Sequence, residues 1–142
     1  MHHDAPKKFR ILIADDCESM RRAISRLAST RGEIIGSVGN GQAAVDAVLE
    51  LRPDLIVRDI LMPILDFIQV VRQLRAAGSS CRVLMLTGLE DKDFASAALQ
   101  AGANGFVFKS RMGTDLLHAI EEVLAGHTFV SPAAPRHDDR FP

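Results

Sequence analysis

The chain has 142 residues, the length of one domain that buries about two-thirds of its unfolded surface. Its 17 basic and 18 acidic residues nearly balance, so nothing predicts general affinity for nucleic acid or membranes. The apolar runs are too short to cross a bilayer, and the start, MHHDAPKKFR, lacks an apolar signal segment. We therefore expect a cytoplasmic protein. Cys17 and Cys81 fit neither a disulfide framework nor a metal-site spacing, which predicts two free thiols.

Apolar runs alternate with amphipathic stretches along the chain, which predicts strands alternating with helices. In chain order we expect a strand at 9–14, helix at 19–30, strand at 34–38, helix at 42–51, strand at 55–57, helix at 66–77 capped by Asp66, strand at 82–86, helix at 91–101, strand at 106–108 and helix at 114–124. We expect an N-terminal extension at 1–8, one domain at 9–129, and a linker or disordered tail at 130–142, because SPAAPRHDDRFP lacks apolar periodicity.

Successive strand–helix units predict an α/β fold, a doubly wound parallel sheet with helices on both faces. Right-handed crossovers bring the carboxyl ends of all the strands to one edge, where such sheets bind their ligands. Five polar residues come just after the predicted strands: Asp15, Asp16, Asp59, Thr87 and Lys109. We therefore expect these side chains to meet at that edge.

The chemistry of these side chains suits a divalent cation and a phosphoryl group. Converging carboxylates repel each other unless a cation balances them, and Mg²⁺ prefers oxygen ligands. Asp16 and Asp59 are the expected side-chain ligands; Asp15 acts directly or through water, and the backbone carbonyl of Leu61 is a further candidate.

Asp59 is also the best candidate nucleophile, since a carboxylate can accept a phosphoryl group to form an acyl phosphate. The Lys109 ammonium would offset the charge of the phosphoryl oxygens, and the Thr87 hydroxyl can donate a hydrogen bond to one of them.

Four stretches, ILIADD, PDLIVRDILMPILD, VLMLTG and GANGFVFKS, resemble the receiver domain of two-component response regulators over residues 9–131. The resemblance implies a flavodoxin-like sheet of five strands in the order 2-1-3-4-5. It implies that Asp59 accepts a phosphoryl group from a histidine kinase and that Asp15 and Asp16 bind Mg²⁺. It also implies that Thr87 is the switch hydroxyl, Lys109 the phosphate-reading lysine and Phe106 the rotamer-switching aromatic.

The end of the domain, with LLHAIEEVLAGHTFVSP, resembles the NarL/FixJ type, whose receivers usually precede a helix-turn-helix DNA-binding domain. No such domain follows in this sequence, so we expect a stand-alone receiver or a fragment. The expected partners are a histidine kinase and an output domain or downstream protein, with homodimerisation on activation. We expect no direct binding to nucleic acid or membrane, and no enzymatic activity beyond self-phosphorylation and autodephosphorylation.

Three residues depart from the family pattern near the acceptor. Arg58 precedes Asp59 where the family mostly has an apolar or small residue, and its long stem could carry the charge to the sheet edge. Leu61 cannot position an attacking water, which predicts slow autodephosphorylation. Phe67 replaces a glycine and is expected to pack under the third helix.

Three alternatives remain from the sequence. The loop Gly39 to Ala44 fits G-x-G-x-x-A after a strand, with Asp59 twenty residues on, which is typical of dinucleotide binding. A receiver-like interaction module that is never phosphorylated is the second. A phosphohydrolase with an aspartyl nucleophile is the third, and Leu61 disfavours it because such enzymes usually carry a carboxylate at that place.

Overall fold

The computed structural model describes residues 9–60, 64–88 and 92–132. Strands and helices alternate along these residues. In chain order they are β1 (Phe9–Ala14), α1 (Glu18–Ala28), β2 (Gly32–Val38), α2 (Gly41–Leu51), β3 (Leu55–Ile60), α3 (Ile64–Ala76), β4 (Arg82–Thr87), α4 (Lys92–Ala101), β5 (Gly105–Phe108), a short 3-10 helix (Lys109–Arg111), α5 (Met112–Leu124) and β6 (Phe129–Val130).

The strands form one sheet in the order β2-β1-β3-β4-β5-β6, and every described pair is parallel. The predicted α/β fold and the order 2-1-3-4-5 are confirmed. The expected number of five strands is wrong, because β6 adds a sixth strand beside β5. Two residues carry too little alternation to predict a strand from sequence.

Two boundaries differ from the prediction in ways that affect the site. β3 runs to Ile60, so Arg58 and Asp59 lie within the strand rather than after it. The third helix begins at Ile64, so Asp66 lies in its first turn and is not the residue that caps it. The domain limits 9–129 stay a prediction, although Val130 belongs to β6 and Ser131 is buried.

Side chains alternate between the two faces of the sheet and build a separate apolar cluster on each. One cluster joins Leu12, Ile56, Met85 and Phe106 of the sheet to α2, α3 and α4. The opposite cluster joins residues including Ile13, Val57 and Leu86 to α1 and α5. The sheet is therefore covered by helices on both faces.

Glycines in the left-handed conformation follow the last residues of two helices. Gly102 and Gly126 follow α4 and α5 with φ of 115° and 94°, the left-handed conformation that glycine adopts without strain. Within the described ranges, no helix combines the length and apolarity needed to span a bilayer.

Candidate functional site

The strand register brings the predicted site positions to one edge of the sheet. Ala14 pairs with Arg58, so Asp15 and Asp59 follow at the same level of neighbouring strands. Thr87 pairs with Ile60 on one side and Phe108 on the other, and Lys109 comes directly after Phe108. Because neighbouring strands lie about 4.8 Å apart, the four strand ends span roughly 15 Å of backbone.

The two acidic residues after β1 occupy different environments. Asp15 is 3% exposed, whereas Asp16 is exposed. The Asp15 N–H donates to the Val38 carbonyl at 3.0 Å, and Asp15 Oδ1 accepts from the Cys17 N–H at 3.2 Å. The pair therefore offers one carboxylate fixed inside the loop and one that faces solvent.

This donor set fits a hard cation such as Mg²⁺, because carboxylate oxygens are its preferred protein ligands. Within the described side chains, no group of three His, Cys, Asp or Glu residues could hold a metal. The third predicted carboxylate belongs to Asp59, whose backbone is placed in β3 but whose side chain lies outside the described atoms. Leu61, the predicted carbonyl ligand, lies outside the described residues altogether.

The other three predicted positions lie in β4, in β5 and directly after β5. Thr87 is 1% exposed and ends β4. Lys109 is half-buried and begins the short 3-10 helix that follows β5. Phe106 is fully buried, with its ring edge-on to Phe94 at 5.7 Å and to Phe108 at 5.3 Å between centroids. The candidate switch aromatic is therefore already packed inside the fold.

A buried hydrogen-bond network beside Lys109 was missed by the sequence analysis. Ser131, 2% exposed, donates through Oγ to Asp115 Oδ2 at 2.8 Å and accepts from the Phe108 N–H at 3.3 Å. Arg111 Nε donates to the same carboxylate at 2.6 Å. Burial alone would raise the pKa of Asp115, but the hydrogen bonds from Arg111 and Ser131 outweigh it and hold this pKa below its ordinary value.

The two cysteines are free thiols, as predicted, in opposite environments. Cys17 is exposed at the N-terminus of α1, where a hydrogen bond from the Ser19 hydroxyl and another from the Met20 N–H lower the pKa of its thiol. Burial raises the pKa of the Cys81 thiol to about 12.

Arg58 is buried within β3, and whether its charge reaches the sheet edge stays a prediction. Its residue is 3% exposed, and strand alternation places it on the face shared by Ala14 and Met85. Val57 and Leu86 lie on the opposite face, which the register assigns to the Asp59 position. Arg58 is therefore a buried residue of β3 on the face opposite to that of the Asp59 position. Phe67 lies in α3, but its side chain is outside the described atoms.

The glycine-rich loop does not have the geometry of a dinucleotide site. It follows β2, and β1 lies between β2 and the strand that carries Asp59. In a dinucleotide fold the acidic residue ends the strand beside the glycine loop, close enough to bind the ribose. Asn40 also caps α2 through its side chain, which accepts from the Ala43 N–H at 2.8 Å. The loop therefore starts a helix at the sheet edge.

Comparison with known proteins identifies the family. The sequence matches the response regulator receiver domain over residues 11–121, and the chain belongs to that family. It is 37% identical over 121 residues to the transcription regulator BvgA of Bordetella pertussis, covering 84% of this chain and 58% of that protein. The chain thus spans a little over half the length of this relative.

Solved structures agree with this assignment. A two-component response regulator of the LuxR family from Aurantimonas superposes with a TM-score of 0.82 and 31% identity, covering 89% of this chain and 91% of that one. The signal receiver domain of the response regulator NarL from Mycobacterium tuberculosis gives 0.79 and 28%, covering 86% and 100%. The resemblance to NarL-type receivers is confirmed.

Proposed function

We propose that this receiver domain accepts a phosphoryl group on Asp59 from a histidine kinase, with Mg²⁺ held by Asp15, Asp16, Asp59 and the Leu61 carbonyl. The register of β1, β3, β4 and β5 is the observation that carries the proposal. It supports a single site because the residues after these strands have the types that phosphoryl transfer needs. Receiver-family membership supports the same conclusion.

In the proposed reaction, a carboxylate oxygen of Asp59 forms a bond to phosphorus while the bond from phosphorus to the kinase histidine nitrogen breaks. The products are an acyl phosphate and a free imidazole. Bound Mg²⁺ would neutralise charge on the phosphoryl oxygens. Lys109, half-buried at the end of β5, would pair with one oxygen, and the Thr87 hydroxyl would donate to another.

The proposed switch follows from the charge of about −1.5 to −2 that a phosphate brings to the site. Thr87 would move toward the phosphate, and Phe106, which is buried, would fill the space that Thr87 leaves. The surface to change is the face made by α4, β5 and α5. β6 lines this face along β5 and presents Val130, which is 44% exposed. We propose that a partner contacts this surface.

Partners are proposed by analogy with the relatives. BvgA is a transcription regulator and is longer than this chain, which supports an output domain or downstream protein as the recipient of the signal. Homodimerisation through the changed face and a cytoplasmic location belong to the same proposal. Catalysis beyond the chain's own phosphorylation and dephosphorylation is not proposed.

The test uses a small phosphodonor such as acetyl phosphate with Mg²⁺ and intact-mass measurement. Wild type should gain one phosphoryl group, and chelation of Mg²⁺ should abolish the gain. Asp59→Asn should gain none, whereas Asp46→Asn, at an exposed position of α2, should behave as wild type. Equal labelling of wild type and Asp59→Asn would refute the assignment. Absence of labelling in wild type would favour the unphosphorylated interaction module instead.

A further inference from the structure

Arg21 makes a contact that the proposed chemistry does not use. It lies on α1, and its Nη1 donates to the main-chain carbonyl of Asp15 at 2.6 Å. We infer that Arg21 is a positioning residue for Mg²⁺ binding, which it favours by fixing the peptide group that joins Asp15 to Asp16. This inference rests on the proposed function, because it assigns that acidic pair to the cation.

The contact matters because a peptide group is rigid. The Asp15 carbonyl and the Asp16 N–H belong to one plane, so holding the oxygen fixes the direction in which Asp16 leaves β1. On the other side of Asp15, its N–H is held by the Val38 carbonyl at 3.0 Å. β2 thus fixes the peptide before Asp15, and Arg21 fixes the peptide after it.

The packing around Arg21 confines its guanidinium. A Cβ built on Gly39 would lie 3.4 Å from Arg21 Nη1 and 3.8 Å from the Asp15 carbonyl oxygen. The guanidinium therefore lies against the backbone of the β2–α2 loop while it binds the β1–α1 loop. Arg21 is half-buried, in contrast to its exposed neighbour Arg22. The Arg21 side chain therefore connects α1 to both the β1–α1 loop and the β2–α2 loop, beside the acidic pair.

Arg21 contributes both position and charge. Its positive charge offsets part of the repulsion between the two carboxylates in the metal-free state. By itself this effect would lower the affinity of the acidic pair for Mg²⁺. The hydrogen bond instead pre-orients the ligands, which strengthens binding. Outer contacts that orient metal ligands are typically worth about 10–100-fold in metal affinity, so we expect orientation to dominate.

The chain has no Trp or Tyr, so calorimetry is the direct measure of Mg²⁺ affinity. Arg21→Met should raise the Kd for Mg²⁺ by about 10–100-fold. Arg22→Met is the matched control, because it removes the same charge from the same helix. Its side chain is 73% exposed and pairs with Glu18 at 2.7 Å, so its Kd should stay within about twofold of wild type.

Two further measurements separate positioning from general stability. At saturating Mg²⁺, Arg21→Met should recover most of the wild-type phosphorylation rate, since the loss is in cation binding. Arg21→Lys keeps the charge and a hydrogen-bond donor but loses the planar fork, so it should raise the Kd by less than Arg21→Met and by more than Arg22→Met. This variant also keeps the test open if Arg21→Met fails to fold by circular dichroism.

The outcomes separate this inference from the proposed function. If wild type binds Mg²⁺ and gains phosphate while Arg21→Met or Arg21→Lys binds Mg²⁺ as Arg22→Met does, the inference is overturned and the proposed function stands. If the wild-type chain binds no Mg²⁺, the proposed function fails and this inference fails with it.

Discussion

The Ser131 side chain joins the end of β6 to β5 and α5 through hydrogen bonds, so Ser131→Ala should destabilise the domain. The Ser131 N–H donates to the Phe106 carbonyl at 2.9 Å. Because this bond joins two backbone groups, it is preserved in the variant. The hydroxyl continues the ladder where β6 ends, because it accepts from the Phe108 N–H and donates to Asp115. Pro132 follows and has no N–H to offer.

The magnitude follows from the two hydrogen bonds that the hydroxyl makes. Leaving the buried Phe108 N–H without this acceptor costs about 1–3 kcal/mol, and a hydrogen bond to a charged group contributes about 1.5–3 kcal/mol. Asp115 keeps its bonds from Arg111 and Thr114, so the second loss falls at the lower end. We expect a decrease of about 2.5–4.5 kcal/mol in the free energy of unfolding, or about 10–18 °C in Tm.

Urea unfolding followed by far-ultraviolet circular dichroism is the appropriate assay, since the chain lacks Trp. Ser29→Ala is the matched control. Its hydroxyl donates to the Arg26 carbonyl at 3.0 Å on the exposed end of α1, and the same substitution there should change stability by less than about 0.5 kcal/mol.

The pH dependence gives a second signature of the same network. Because the folded-state pKa of Asp115 lies below its ordinary value of 3.8, its contribution is present above that pH and is lost as the pH falls through the folded pKa. Ser131→Ala removes one cause of this pKa shift. The loss in unfolding free energy of the variant relative to wild type should therefore be smaller below pH 3.8 than at neutral pH. A deficit under about 0.5 kcal/mol at neutral pH, or one that grows on acidification, would refute the reasoning.

Two further predictions use the same unfolding assay and a thiol assay. Gly105→Ala should cost about 1–3 kcal/mol because its Cβ would lie 2.6 Å from Leu84 Cδ1, whereas Gly113→Ala, a helical position with open space, should be neutral or stabilise by about 0.5–1 kcal/mol. Equal stabilities of the two variants would contradict this packing. A neutral disulfide reagent should modify Cys17 rapidly at pH 7.5 and Cys81 only on unfolding, because burial raises the pKa of Cys81 to about 12. Two thiols reacting at one rate in the folded chain would contradict the assigned environments.

The sequence predicted which residues lie at the carboxyl edge of the sheet, because the ends of strands follow from a local pattern. Asp15, Asp59 and Thr87 each follow or end a short apolar run, and the parallel fold converts that pattern into one edge. The same reasoning failed for Asp66, since a helix start depends on which backbone N–H groups are already bonded, and α3 begins earlier at Ile64.

Contacts between residues far apart in the sequence could not be predicted from hydrophobic periodicity. β6 forms because Phe129 and Val130 pair with Gly105 and Phe106, which precede α5 in the sequence. A strand of two residues is too short to show a hydrophobic period of its own. Arg58 likewise gave no sign that it would be buried, because burial depends on which neighbours the register supplies.

The sequence by itself determined the strand–helix alternation and which residue types come together at the carboxyl edge of the sheet, because hydrophobic period and strand-end position are local properties. Only the tertiary structure decided that Arg21 returns to bind the Asp15 carbonyl, that Ser131 fastens β6 beside Lys109, and that Phe106 is buried. These contacts join residues from different elements, and their energies depend on distances that exist only after the elements pack.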